Sequence, residues 1–165
     1  MSEASTKHDF SGQYLSFTLG GEDYGVDILR VQEIRGWEDL RPLPDTPEYV
    51  KGVLDLRGTI VPIIDLRIRL KMSTIEYHPT TVIIVLSVND QDDGSTHLVG
   101  AVVDAVSDVL NIEGNDVRDA PSIACRINDR YINGMVTQNE RMVVLLDVDK
   151  LFRRDELGLM KELAQ

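Results

Sequence analysis

Cysteine is almost missing from this sequence: Cys125 is the only one in 165 residues. A lone thiol excludes an internal disulfide and offers no metal-ligand spacing, which points to a reducing compartment, the cytoplasm by default. Histidine is nearly as scarce. His8, His78 and His97 fall in an N-terminal tail and in expected loops, with no HExxH or comparable spacing, so they read as exposed polar residues. Long apolar runs are lacking too. The most apolar stretches, Val82 to Leu86 and Met142 to Leu146, are too short to cross a bilayer, and no basic segment followed by an apolar run opens the chain. Neither export nor membrane insertion is expected. Basic charge is in deficit, with 17 Lys and Arg against 28 Asp and Glu and a net charge of −11. Such a surface repels a phosphate backbone, which argues against nucleic acid; it favours solubility, or steering toward a basic patch on a protein.

Catalytic signatures are missing as well. The chain has no GxSxG elbow, no GxxxxGK[ST] or GxGxxG phosphate cradle, and no nucleophile signature around Cys125, which reads as a buried or half-buried thiol. The acidic run Asn89 to Gly94 imitates a calcium loop, but its twelfth position is Gly100 where the geometry needs a bidentate Glu, so a solvated hairpin loop is expected. These absences leave no foothold for an enzyme, a metal or a cofactor. They leave a binding module.

What the sequence does contain is short alternating runs. Residues 1–12 read as a flexible polar tail. Leu15, Phe17 and Leu19 then alternate with Ser16 and Thr18, and Tyr24, Val26 and Ile28 resume the pattern after Gly20-Gly21. Further β-type runs are expected at Val53 to Leu56, Thr59 to Ile64, Thr80 to Val88, Leu98 to Val103, Tyr131 to Val136 and Met142 to Leu146, separated by Gly and Pro turns. Many short strands indicate an all-β barrel or sandwich class. A C-terminal helix is expected over Asp155 to Ala164, where Leu157, Met160 and Leu163 share a face, and helical turns are expected after Asp65 and Asp147.

The chain also resembles itself. Tyr49 to Leu70 aligns without a gap on Tyr131 to Phe152, matching Tyr49, Gly52, Val61 and Asp65 to Tyr131, Gly134, Val143 and Asp147. Tyr24-Gly25 onward likewise resembles Val99-Gly100 onward, so two similar β units stand in tandem. Features shared by both copies are assigned to the fold. Leu56-Arg57-Gly58 becomes Gln138-Asn139-Glu140 in the second copy, which makes Arg57 and Gly58 candidates for binding. A planar guanidinium there can reach carboxylates or carbonyls of a partner, and a glycine beside it allows close approach. Pairing of Arg57 with Asp55, Asp65 or Glu33 is the competing reading.

Together, YGVDILRVQEI, TPEYVKGVLDLRGTIVPIIDLRIRL, GAVVDAVSDVL and LLDVDKL closely resemble the CheW family of bacterial chemotaxis coupling (adaptor) proteins, from Gln13 to about Leu163. The resemblance implies a mainly β fold of two SH3-like five-stranded β-barrel subdomains around a shared core: residues 13–79 and 80–152, then a C-terminal helix at 153–165, with the first strand open to exchange between units. It implies a non-catalytic scaffold, free of cofactors, that links the cytoplasmic hairpin tip of methyl-accepting chemotaxis receptors to the regulatory domain of the histidine kinase CheA. Monomeric when free, it would be cytoplasmic and associate with receptor arrays at the inner face of the membrane through its partners, without entering the bilayer itself. The receptor groove would include Val31, Glu33, Arg57, Gly58, Val82 and Val109, and the kinase-facing surface Leu40 and Ile60. A coupler for a kinase governing pili or gene expression would look the same. The length fits a coupling protein better than the receiver-linked CheV type. One departure stands out: Asp55 replaces the Asn the family commonly places before Leu-Arg-Gly.

Overall fold

The computed structural model describes residues 11–38, 40–72, 76–90, 93–119 and 127–153. The expected C-terminal helix, His8 and Cys125 lie outside them. Among the described residues ten strands form: β1 (Gly12–Leu19), β2 (Glu22–Asp27), β3 (Val31–Gly36), β4 (Val50–Leu56), β5 (Thr59–Asp65), β6 (Val82–Asn89), β7 (Thr96–Val103), β8 (Ala105–Ile112), β9 (Ile132–Gln138) and β10 (Arg141–Leu146). Two one-turn helices, α1 (Leu66–Arg69) and α2 (Val148–Leu151), follow β5 and β10. Asp65 and Asp147 cap them, accepting from the Arg67 and Lys150 N–H groups, so both expected helical turns form.

The strands make two five-stranded sheets of identical plan, β8-β1-β2-β10-β9 and β3-β6-β7-β5-β4. In each, a hairpin lies parallel to the last strand of a second hairpin, β2 beside β10 and β7 beside β5. The tandem repeat is therefore real in strand order. A cut at residue 79 does not separate the sheets, however: β1 and β2 join strands β8 to β10, while β6 and β7 join β3 to β5. The exchanged element is a hairpin from each copy rather than a single strand. Parallel pairing explains it, because β5 needs a crossover before it can meet a parallel neighbour and finds β7 of the next copy.

A one-residue bridge closes each sheet toward a barrel. Arg41, beyond β3, pairs with Val53 on β4, and Arg118, beyond β8, pairs with Met135 on β9. The glycine of each shared Tyr-x-x-Gly sits at this crossing. A Cβ on Gly52 would lie 2.4 Å from the Arg41 carbonyl oxygen, and one on Gly134 2.9 Å from that of Arg118. Both also have positive φ, 146° and 156°.

Alternation sorts the apolar side chains into three cores. Leu54, Leu56, Val61, Ile63, Ile83, Val85 and Val102 fill one barrel, and Tyr14, Ile112, Val136, Val143 and Leu145 the other. Between them lies a larger shared core with Leu15, Phe17, Leu19, Tyr24, Ile84, Leu86 and Val88 at its centre. Strands β3 and β8 lack an apolar alternation because each is an edge strand: β3 presents Val31, Glu33 and Arg35 half-buried, and β8 buries only Ile112. One histidine corrects the loop expectation. His97 is buried on β7, opposite Val88, whereas His78 is exposed beside Glu76.

The two helical turns are locked by ion pairs of opposite polarity. Arg67 on α1 donates to Asp65 through Nε and Nη2, both at 3.0 Å, to Asp104 at 2.9 Å and to the Glu76 carbonyl. Burial works to lower its pKa, but the two carboxylates outweigh it and hold the guanidinium above its ordinary range. Tyr77 donates to Asp65 as well, and burial together with that bond pushes its pKa up to about 12. At the place of Arg67, the second copy has Asp149 on α2, which accepts two bonds from Arg30 at 2.6 and 2.7 Å.

Candidate protein-binding surface

Arg57 and Gly58 are the two central residues of the β4–β5 hairpin turn, where Leu56 faces Thr59. Both have positive φ, 51° and 90°, as a two-residue turn of the I′ kind requires. Asn139 and Glu140 occupy the β9–β10 turn with φ of 52° and 65°. The backbone is thus nearly the same in the two copies, and nothing in the turn asks for arginine. Gly58, by contrast, meets a conformational demand of the fold, at the larger φ of the two second positions, in addition to leaving open space around it.

The turn is held from beneath by Asp55, whose Oδ1 accepts the Gly58 N–H at 2.8 Å. An Asn oxygen would accept the same bond, so the departure at Asp55 leaves this contact intact and adds a negative charge. The Arg57 side chain is 77% exposed and reaches Glu33 Oε1 at 3.4 Å. Of the three carboxylates considered as its partner, Glu33 is therefore the one engaged. Asp55 serves the turn and Asp65 serves Arg67.

Glu33 is shared. Its Oε2 accepts from Arg35 at 2.8 Å, and Arg35 extends to Glu38 at 3.4 Å. The bond to Glu33 is the main influence holding the Arg35 guanidinium above its ordinary pKa range. Sequence reading did not single out Arg35, although its i, i+2 spacing from Glu33 on a strand places both side chains on one face.

The apolar candidates separate into two kinds. Val31 and Val82 are half-buried against the shared core, whereas Val109 is 43% exposed on β8. Glu33 and Arg57 are brought together, but a register shift between Val31 and Glu33 sets Val31 opposite Leu86 of the shared core and Glu33 opposite Val85 of the barrel core, so Val31 lies on the other face of β3 from that ion pair. Of the other pair, Ile60 is 44% exposed on β5, opposite Asp55, and Leu40 is half-buried against the core of the β3–β7 barrel. Arg67 and Asp149, which the sequence reading did not name, are structural: each is buried in an ion pair.

Two hairpin-exchanged barrels around a common core, with a solvent-facing arginine on one turn only, form a recognisable plan. A family model described as the CheW-like domain matches residues 13–156. The chain belongs to the CheW family. It is 42% identical over 153 residues to chemotaxis protein CheW of Klebsiella aerogenes, covering 93% of this chain and 89% of that protein. Chemotaxis protein CheW of Rhizobium meliloti is 36% identical over 154 residues, covering 92% and 96% respectively. Among solved structures, the scaffolding protein TtCheW of Thermoanaerobacter tengcongensis matches with a TM-score of 0.75 at 28% identity, over 90% of this chain and 92% of that one. The CheW family is a non-catalytic family of chemotaxis scaffolds, which agrees with the binding-module reading of the sequence. No helix among the described residues is long and apolar enough to cross a membrane.

Proposed function

We propose that the chain couples the cytoplasmic hairpin tips of methyl-accepting chemotaxis receptors to the regulatory domain of the histidine kinase CheA, so that receptor state controls kinase activity. The observation that carries this reading is Arg57: it is 77% exposed, and the equivalent turn of the second copy forms with Asn139 in its place. A side chain that neither the turn nor the core requires is available for a partner. In this reading Val31, Val82 and Val109 supply the apolar contact of a helix-in-groove complex, and Glu33, Arg57 and Gly58 its polar rim. The kinase takes a different face, with Ile60 as the exposed contact and Leu40 supporting it from the barrel core. Free in the cytoplasm the protein is a monomer; at arrays it reaches the membrane only through its partners. Engaging both at once raises their effective concentration.

The test is a pull-down with the purified receptor cytoplasmic fragment and the kinase regulatory domain, separately and together. Capture of each alone, and of both in one complex, supports the proposal. Mutually exclusive capture contradicts the two-face arrangement.

A further inference from the structure

On β3, Glu33 stands between two arginines that are not equivalent. Arg35 Nη1 approaches Oε2 at 2.8 Å, whereas Arg57 Nη2 approaches Oε1 only at 3.4 Å, close to the limit of a hydrogen bond. Arg35 is 31% exposed in its side chain and Arg57 77%. The Nε of Arg35 is buried without a hydrogen-bond partner, so that guanidinium is committed through its two Nη groups, one on Glu33 and one on Glu38. An orphaned buried donor is a cost the surroundings tolerate, and here it accompanies an orientation that occupies one oxygen of Glu33.

We infer that Arg35 is a positioning residue for partner recognition: by holding Oε2 of Glu33 it keeps that carboxylate from closing on Arg57, whose guanidinium is left presented to an acidic or carbonyl group of the partner. This rests on the proposed receptor groove. Without Arg35, both Glu33 oxygens turn to Arg57, the pair becomes bidentate, and an internal carboxylate competes with the partner for the same donors.

The full-length chain is titrated calorimetrically with a purified receptor cytoplasmic fragment, using Arg35→Ala, Arg35→Gln, Arg35→Lys, Glu33→Gln, Arg57→Ala and the Arg35→Ala/Glu33→Gln pair, each checked by thermal unfolding. Arg35→Ala is expected to weaken binding about five- to tenfold, the scale of one charge-assisted hydrogen bond. Arg35→Gln, which keeps the packing of the stem, weakens it similarly, and Arg35→Lys regains part of the loss. In the Glu33→Gln background the same Arg35→Ala change alters affinity by less than about twofold, because no carboxylate remains to be restrained. Equal losses in both backgrounds, or losses that follow the thermal stability of each variant, overturn the inference. If Arg57→Ala weakens binding and neither Arg35→Ala nor Arg35→Gln does, the inference falls and the groove stands. If Arg57→Ala changes nothing, both fall.

Discussion

Arg30 grips Asp149 with two hydrogen bonds of 2.6 and 2.7 Å, and in doing so reproduces, with the charges reversed, the Arg67–Asp104 pair of the other barrel. The surroundings correspond closely. The Asn89 N–H donates to Asp149 as the Gly20 N–H donates to Asp104, and the carbonyls of Ser87 and Thr18 are taken up at matching strand positions. What is common to the repeat is thus an ion pair between a helical turn and the end of the neighbouring parallel strand, and not the identity of either residue. Because each pair also bonds to a strand of the opposite sheet, it ties the two barrels together.

That arrangement fixes an acid dependence. Burial pushes the Asp149 carboxyl up, but Arg30 and the Asn89 N–H together hold it below the usual carboxylate range. A lowered native pKa means that the unfolded chain binds the proton more readily. The stabilisation is therefore present above the unfolded carboxylate value, about 3.9, and is lost as pH falls through the native one. Asp149→Asn should lower stability at pH 7 by about 1–3 kcal/mol and flatten the decline in Tm below about pH 4. Thermal unfolding as a function of pH measures both; an unaltered acid limb would count against the pair.

The segment from Gly52 to Arg67 contains Asp-Leu-Arg twice, ten residues apart, with opposite fates. Arg67→Ala leaves the fully buried Asp65 without its main counter-charge and should cost about 3–5 kcal/mol. Arg57→Ala removes only a long contact from an exposed side chain and should change stability by less than about 1 kcal/mol. Urea unfolding of the two variants compares them directly, and similar losses would mean that one of these environments is misassigned.

Gly52 tests the barrel closure. Adding a methyl group puts a Cβ 2.4 Å from a carbonyl oxygen at a φ of 146°, so the Arg41–Val53 bridge has to open or the chain has to shift. Gly52→Ala should destabilise by roughly 1–3 kcal/mol, and Gly58→Ala, with open space around its turn position, by less. Denaturant midpoints of the two variants rank them.

Asp55 offers a conservative control. Asp55→Asn preserves an oxygen for the Gly58 N–H and should be close to neutral, while Asp55→Ala should cost about 0.5–1.5 kcal/mol. Equal effects on Tm would show that the charge, and not the acceptor, supports the turn.

Eight of the ten strands were legible as apolar alternation, and the two capped helical turns followed from Asp65 and Asp147. Strands β3 and β8 were not, because an edge strand of a five-stranded sheet needs one half-buried face at most and in β3 fills it with residues such as Glu33 and Arg35. The repeat disclosed two equivalent units, but only parallel pairing of β5 with β7 and of β10 with β2 decides which hairpin completes which sheet. At the site, Arg57 stood out as a feature of one copy. Arg35 and the inverted ion pairs did not, since their meaning lies in distances between segments far apart in the chain.

Receptor binding by Arg57→Ala, measured calorimetrically beside kinase binding and Tm in the same preparation, bears most directly on the two-face scaffold. The expected result is receptor affinity lowered at least about tenfold, with the kinase interaction and thermal stability unchanged. Receptor affinity equal to that of the parent chain would contradict it.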